Sequence, residues 1–329
     1  MATLIFQKKW CIFAAMIERE ATVVKNAGSH FVLSELPCWK PFPAVLRGKA
    51  RLDRGSSTNP VAVGDKVRYC IENEIVVPDE KNPAVITGIL PRNNYLIRRS
   101  TNLSRQSHVI AANLDQAVIA VTLLFPEIKL PFLDRILVTC EVYRIPAVIA
   151  LNKVDLYRDY EGIEEFENAY EKAGYKVVRT SARTGEGIDE LRRLCKGKLN
   201  LFSGESGVGK SSLIKALDPN LDPKIGKISM AHLQGKHTTS LYEMYPLNCG
   251  GYVIDTPGLR GFGLVDLEKE EISKYFPEML RYADNCRFVP CTHTHEPGCA
   301  IKKALGEGLI SESRYNSYLG MLEEDTKFR

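Results

Sequence analysis

The sequence predicts a protein of several domains: a small N-terminal β-barrel, a central α/β domain with a parallel sheet, and a small helical C-terminal region that carries a metal-type cluster. Three observations predict this class. The chain has 329 residues, which is long for one compact domain. Short β-like runs give way, from about residue 110, to alternating apolar strand and helix patterns. Cysteine and histidine then crowd together near the C-terminus.

The composition is typical of a globular protein in a reducing compartment. The chain is 44% hydrophobic and 26% charged, and no apolar run approaches the roughly 20 residues of a membrane span. Basic residues precede a short apolar run in KKWCIFAAMIERE, but no small-residue cleavage site follows. We therefore interpret residues 1–19 as an N-terminal extension, with Met16 as an alternative start, and we expect a cytoplasmic location without a membrane. Six cysteines are scattered singly, unlike a disulfide framework: Cys11, Cys38, Cys70, Cys140, Cys195 and Cys249.

Residues 20–88 predict the barrel. Short β-like runs are punctuated by Gly, Pro and Asn: ATVVKNA, HFVLSEL, VLRGKARL, DKVRYCI, VVPDE and AVITGIL. The five-stranded barrel that binds oligonucleotides (the OB fold) is the natural candidate, and a purely structural barrel is the alternative. RGKARLDRGSSTNPVAVGDKVRY predicts a hairpin with a long, polar and basic tip.

Positive charge is concentrated in the N-terminal part. Residues 1–108 carry 16 Lys and Arg against 9 Asp and Glu, whereas the remaining residues carry 28 against 31. This asymmetry indicates a polyanionic partner such as RNA, and a solvated basic face is the alternative. The candidate RNA contacts are the basic residues around the predicted hairpin tip: Arg47, Lys49, Arg51 and Arg54.

The α/β part contains a phosphate-binding motif. GESGVGKS fits G-x-x-x-x-G-K-[ST] between the apolar strand LNLF and the helix SSLIKAL. Backbone amides of such a loop wrap phosphates, and the helix N-terminus adds partial positive charge. Lys210 is expected to reach the β- and γ-phosphates, and Ser211 to ligate Mg²⁺. The candidate contacts of this phosphate loop are Gly204, Glu205, Ser206, Gly207, Val208, Gly209, Lys210, Ser211 and Ser212.

Two further loops predict guanine selection. NKVD (the base loop: Asn152, Lys153, Val154 and Asp155) follows the strand AVIAL. The Asp155 carboxylate can accept hydrogen bonds from N1–H and the exocyclic amine of guanine, a pair that adenine does not offer. Lys153 can lie over the base, and Asn152 can tie the base loop to the phosphate loop. TSARTGEG follows the next strand, where Ser181 and the Ala182 N–H are candidates to contact the base.

Two segments that follow the phosphate loop resemble nucleotide-sensing switches. Asp255, in VIDTPG, is expected to hold Mg²⁺ through water, and the Gly258 N–H to sense the γ-phosphate. QGKHTTS supplies Thr238 and Thr239, either of which can ligate Mg²⁺. The elements of a GTPase are thus present in the order base loop, base support, phosphate loop, first switch, second switch. A circular permutation preserves such a site, because the site is an arrangement in space.

With this order, a preceding barrel and a following Cys/His cluster, the chain resembles the RsgA (YjeQ) family of circularly permuted GTPases over about residues 20–329. The resemblance implies a GTPase that acts in late maturation of the small ribosomal subunit and contacts its rRNA. It implies an OB barrel at 20–88, a permuted GTPase domain at 89–265 and a zinc domain at 266–329. We expect a monomer with GTP or GDP, Mg²⁺ and one structural Zn²⁺.

The cluster CRFVPCTHTHEPGC supplies the predicted zinc ligands Cys286, Cys291, His293 and Cys299. Their spacing fits one tetrahedral zinc, and four protein ligands leave no open position for catalysis. His295 competes for the histidine place, and the family pattern favours His293. A reduced, metal-free loop is the alternative.

Leu259 stands where a Ras-like protein has the glutamine that orients the attacking water. We therefore expect slow intrinsic hydrolysis that the small subunit stimulates. His237 matches the histidine of the family's HTT signature and is the candidate to act on the water, although a lone histidine in a switch is more often structural. The alternatives are a nucleotide-gated RNA-binding module with negligible turnover and a permuted GTPase that acts on the large subunit.

Overall fold

The computed structural model describes residues 18–46, 61–71, 77–99, 107–221, 242–255 and 267–323. The chain divides into two compact units, one comprising Met1–Asn113 and Ala231–Tyr245 and the other Leu114–Met230 and Pro246–Arg329. Within the described ranges, no helix combines the length and the apolar character needed to cross a membrane.

The first unit contains a closed five-stranded barrel. Strand β2 pairs antiparallel with β1 and β3, β3 pairs parallel with β5, and β4 pairs antiparallel with both β5 and β1, which closes the barrel. Val23, Leu33 and Ile86 are fully buried in its core, as the alternating apolar pattern of these strands requires. The strands are β1 (Arg19–Ala27), β2 (His30–Ser34), β3 (Phe42–Leu46), β4 (Lys66–Cys70) and β5 (Ala84–Ile89).

Two details of the barrel differ from the sequence-based prediction. The described part of VVPDE, residues 77–80, is not a strand. Pro78 has no N–H for a ladder, and Asp79 Oδ1 accepts the amides of Lys81 (2.9 Å) and Asn82 (2.7 Å) in a turn. The predicted hairpin also differs: over the residues described, β3 and β4 flank β5 and do not pair with each other. The residues of its expected tip, 47–60, lie outside the described ranges.

Other segments extend the first unit. β6 (Tyr95–Arg99) and β7 (Ser107–Ala112) form a two-stranded antiparallel sheet, and Tyr242 and Glu243 at the start of β12 (Tyr242–Leu247) pair with the end of β1. Arg92 forms a bidentate ion pair with the buried Asp65, at 2.6 and 2.7 Å. This pair fastens the segment before β6 to the barrel.

The second unit contains a five-stranded parallel sheet in the order β10-β9-β8-β11-β13. Every residue of β8 and β11 is buried, which explains their nearly continuous apolar sequences. Because the strands are parallel, the loops after their carboxyl ends share one edge of the sheet. The strands are β8 (Gln116–Val121), β9 (Ala147–Leu151), β10 (Lys176–Arg179), β11 (Leu199–Ser203) and β13 (Gly251–Asp255); the helices between them are α1 (Leu130–Val142), α2 (Gly162–Ala173), α3 (Ile188–Cys195) and α4 (Lys210–Leu217).

The C-terminal part of the second unit is helical. Its elements are a 3₁₀ helix (Lys269–Tyr275), α5 (Pro277–Ala283), α6 (Ala300–Gly306) and α7 (Glu312–Glu323). Val138 of α1 lies in the same hydrophobic core as Phe276, Met279, Ile301 and Tyr318. The C-terminal helices therefore pack directly on α1.

Candidate nucleotide site and metal centre

The predicted phosphate loop connects β11 to α4. Gly204 has a φ of 143°, and an added Cβ would lie 2.2 Å from the carbonyl oxygen of Ala120, so this approach requires glycine. Lys210 is the first residue of α4, and its Nζ donates to the carbonyls of Gly204 and Glu205 at 2.7 Å each. An ammonium group and the N-terminus of α4 thus lie at the same loop, where both favour an anion.

The base loop follows β9 and contacts the phosphate loop directly. Asn152 is 1% exposed, and its Nδ2 donates to the carbonyl of Val208 at 2.8 Å. Lys153 has a φ of 64°, and its Nζ donates to the carbonyls of Gly207 and Phe125 at 2.7 Å each. Two segments more than 50 residues apart in sequence are therefore tied by side chains of the base loop.

Residues after β10 hold the Asp155 carboxylate. Ser181 Oγ donates to Asp155 Oδ1 at 2.6 Å and accepts the amide of Thr184 at 3.1 Å. The amide of Ala182 donates to Asn152 Oδ1 at 3.3 Å. The Asp155 side chain is 12% exposed, so its neighbours fix its position and leave a small part of it open to solvent. The three loops together form a site with an acceptor pair at one end and an ammonium group at the other.

The other predicted site residues fall into three groups. Val154 is buried in the base loop, Ser206 is exposed in the phosphate loop, and Ser211 and Ser212 are exposed in the first turn of α4. For Asp255 only the backbone is described, and it pairs with Phe202 of β11. The predicted residues outside the described ranges are His237, Thr238, Thr239, Gly258, Leu259, Arg47, Lys49, Arg51 and Arg54.

The predicted metal ligands converge. The ligand atoms of Cys286, Cys291, His293 and Cys299 lie within 4.8 Å of one another. His293 Nδ1 is 3.6 Å from Cys286 Sγ and 3.5 Å from Cys299 Sγ. Three sulfurs and one imidazole are the donor set that tetrahedral zinc prefers. His295 is exposed, and its Nδ1 instead contacts the hydroxyl of Thr294 at 2.9 Å.

The environment of the cluster suits a divalent cation. Burial, with the neighbouring sulfurs, raises the pKa of the Cys291 thiol to about 12, so a cation is needed for this thiol to lose its proton near neutral pH. Burial also lowers the pKa of His293, which favours the neutral ring that a metal requires. Tyr315 donates to the carbonyl of His293 at 2.6 Å, and Tyr318 to that of Thr292 at 2.6 Å. Helix α7 therefore braces the loop that carries the histidine ligand.

Sequence reasoning missed two buried groups. Tyr157 is 5% exposed, and its hydroxyl donates to the main-chain carbonyl of Asn152 in the base loop. Arg314 is fully buried against Asp134 and Glu278. Neither residue belongs to a motif, because each acts through partners that only the fold brings close.

The fold and the site define the class: a P-loop nucleotide-binding protein whose base loop precedes its phosphate loop, which is a circularly permuted GTPase. The sequence profile of the RsgA GTPase family matches residues 89–265. The chain belongs to this family, and the predicted resemblance and enzyme class are confirmed.

Relatives and solved structures agree over nearly the whole chain. The small ribosomal subunit biogenesis GTPase RsgA of Bacteroides fragilis is 47% identical over 311 residues, which are 93% of this chain and 98% of that protein. Its counterpart in Porphyromonas gingivalis is 45% identical over 320 residues, 94% and 98% of the two chains. YjeQ from Thermotoga maritima superposes with a TM-score of 0.74 at 35% identity, covering 93% of this chain and 98% of that one. YloQ, a circularly permuted GTPase, gives 0.71 at 25% identity, covering 93% and 94%. The predicted fold class is confirmed.

Proposed function

We propose that this protein is a GTP-hydrolysing assembly factor that binds the small ribosomal subunit and acts in its late maturation. The observation that carries the proposal is that the base loop contacts both the phosphate loop and Ser181. Relatives that are 45–47% identical over nearly all of that chain are named small ribosomal subunit biogenesis GTPases. The domains we infer are 20–88, 89–265 and 266–329, after an N-terminal extension.

Each described loop has a role in binding GTP. Asp155, held by Ser181, accepts the two donors of guanine, and the amide of Ala182 exchanges its 3.3 Å bond to Asn152 Oδ1 for one to the base oxygen. Asn152 and Lys153 hold the base loop against the phosphate loop, at 2.8 and 2.7 Å. Lys210 exchanges the carbonyls of its own loop for the β- and γ-phosphates, which are stronger acceptors.

Magnesium would be held by Ser211 together with Asp255 and either Thr238 or Thr239. It would neutralise charge that develops on the phosphates. Gly258 senses the γ-phosphate, and His237 is proposed to act on the attacking water. Leu259 supplies no polar group for that water, so intrinsic hydrolysis is slow and the small subunit stimulates it.

The metal centre is structural. The four ligands Cys286, Cys291, His293 and Cys299 fit one zinc ion and leave no place for substrate. We infer that the protein works as a monomer in the cytoplasm. Its rRNA contacts include the basic residues Arg47, Lys49, Arg51 and Arg54.

Single-turnover GTP hydrolysis with and without purified ribosomal subunits tests the function. We expect slow hydrolysis by the protein alone, clear acceleration by small subunits and none by large subunits. Lys210→Ala should abolish turnover, because the phosphates lose their ammonium partner. Lys215→Ala, an exposed lysine later in the same helix, is the matched control and should turn over normally.

The alternatives give different results. Negligible turnover under every condition, with RNA binding that depends on nucleotide, would identify a nucleotide-gated RNA-binding module. Equal or greater acceleration by large subunits would identify a large-subunit factor. Normal turnover by Lys210→Ala would remove the phosphate-loop assignment.

A further inference from the structure

The base loop is held by the loop after β8, residues 122–128 (the β8 loop), and by Tyr157. The carbonyl of Phe125 accepts Lys153 Nζ at 2.7 Å. Tyr157, two residues beyond the base loop, donates its hydroxyl to the carbonyl of Asn152. The β8 loop thus holds Lys153, and Tyr157 holds the first residue of the base loop.

The β8 loop is itself closed by internal hydrogen bonds. Thr122 Oγ1 donates to the carbonyl of Pro126 at 2.6 Å, and the amide of Ile128 donates to the carbonyl of Leu123 at 3.2 Å. A loop closed in this way is a firm support, because moving one part requires breaking bonds in the rest. Lys153 of the base loop therefore has a fixed partner in the β8 loop.

Tyr157 also acts on the turn that carries the guanine-selecting carboxylate. The 3₁₀ turn Val154–Leu156 contains Asp155, and the amide of Tyr157 closes this turn by donating to the carbonyl of Val154 at 3.2 Å. Burial raises the pKa of Tyr157 to about 12, so the hydroxyl remains protonated and able to donate near neutral pH. The same residue holds the start of the base loop by its side chain and the end by its backbone.

We propose that Tyr157 is a positioning residue for guanine recognition, which closes the base loop on itself so that Asp155 meets both guanine donors at once. This inference rests on the proposed function, in which Asp155 selects the base. A carboxylate must be placed more accurately to accept two hydrogen bonds than to accept one. Loss of the Tyr157 hydroxyl is therefore expected to weaken the second bond, to the exocyclic amine, most.

Tyr157→Phe in the full-length protein tests the inference, since it removes one hydroxyl and keeps the ring. Affinities for GDP and for IDP, which lacks the exocyclic amine, are measured by competition with a fluorescent nucleotide. We expect about fivefold weaker GDP binding, as for one lost hydrogen bond. We also expect a smaller GDP-to-IDP affinity ratio and unchanged turnover at saturating GTP. Tyr160→Phe, a residue 47% exposed three positions later, should leave all three values unchanged.

A merely structural tyrosine would give another result. A lower melting temperature with an unchanged GDP-to-IDP ratio would overturn the inference. Asp155→Asn separates it from the proposed function. If that variant gains preference for xanthine nucleotides while Tyr157→Phe binds like wild type, only the positioning role fails. If Asp155→Asn keeps its guanine preference, the base assignment fails and the positioning role fails with it.

Discussion

Gly209 shows how a single missing side chain allows two loops to touch. Its φ is 95°, and an added Cβ would lie 2.5 Å from Asn152 Nδ2. The amide of that asparagine reaches Val208 O at 2.8 Å only because nothing occupies this space. The glycine of the motif therefore serves the base loop as well as the phosphate loop, which gives a second physical reason for its presence.

Asp155→Asn is expected to weaken GTP binding at least about tenfold and to favour xanthosine triphosphate. The new amide presents a donor where xanthine has a carbonyl, while its Oδ1 can still accept the 2.6 Å bond from Ser181 Oγ. Competition binding with the two nucleotides measures the change. Asp159→Asn, which alters an exposed carboxylate nearby, should bind like wild type. Unchanged guanine preference in Asp155→Asn would remove this residue from its role.

At the scale of elements, helix α7 joins α1 and α5 through a buried charge. Arg314 Nη1 lies 2.7 Å from Asp134 Oδ1, and its Nε lies 2.7 Å from Glu278 Oε1. The guanidinium also lies 4.7 Å from the centroid of the Phe276 ring. A fully buried guanidinium is tolerated because carboxylates and an aromatic face replace water.

Arg314→Met is expected to lower the free energy of unfolding by about 3–5 kcal/mol, because it leaves Asp134 and Glu278 buried without their cation. Urea denaturation measures the loss. Lys274→Met, which breaks an exposed 3.4 Å pair with Glu271, is the control and should cost no more than about 0.5 kcal/mol. Wild-type stability of Arg314→Met would mean that apolar packing alone holds α7 in place.

The metal centre is expected to contain about one zinc per chain. Cys286→Ser and Cys299→Ser should each lose the metal and unfold the C-terminal helices, because ligation contributes folding energy there. The variants should still bind GDP through the loops of the sheet. Cys38→Ser, an exposed cysteine outside the cluster, should retain full zinc in elemental analysis. Full zinc in both ligand variants would contradict the ligand set.

At the scale of the whole molecule, charge separates the N-terminal part from the rest. Residues 1–108 hold 16 basic against 9 acidic side chains, and the remaining residues hold 28 against 31. Phosphate contacts release counterions, so a basic surface that grips rRNA makes binding sensitive to salt. The base loop and the phosphate loop lie in the second unit, so we expect nucleotide binding and rRNA binding to be separable.

Binding to small subunits is therefore expected to weaken steeply as salt rises. Reversing Arg51 and Arg54 to Glu should weaken it further without changing GTP affinity. Cosedimentation over a salt series measures both effects. The control is the double variant Lys215→Glu with Lys303→Glu, which makes the same change in net charge at exposed positions of α4 and α6. Salt-independent binding, or equal loss in the control, would contradict a dominant role for the basic residues.

Most of the fold could be predicted from local sequence patterns. The apolar runs of β8, β9 and β11, and the helix that ends at Gly174, were read correctly because strand burial and glycine termination leave local signals. The prediction of a strand at VVPDE was wrong for its described residues 77–80, because the turn formed by Asp79 competes with the strand preference of the valines. The order of β3, β5 and β4 could not be read because pairing partners carry no local signal.

The sequence by itself determined which chemical groups the site contains: a carboxylate after β9, a phosphate loop with its lysine, and a Cys₃His set. These are fixed by residue type and short spacing, which survive permutation. Only the tertiary structure decided that Asn152 meets Val208 and that Tyr157 and Arg314 are buried supports. Such contacts join residues far apart in the chain or depend on side-chain direction, so they exist only once the strands and helices have packed.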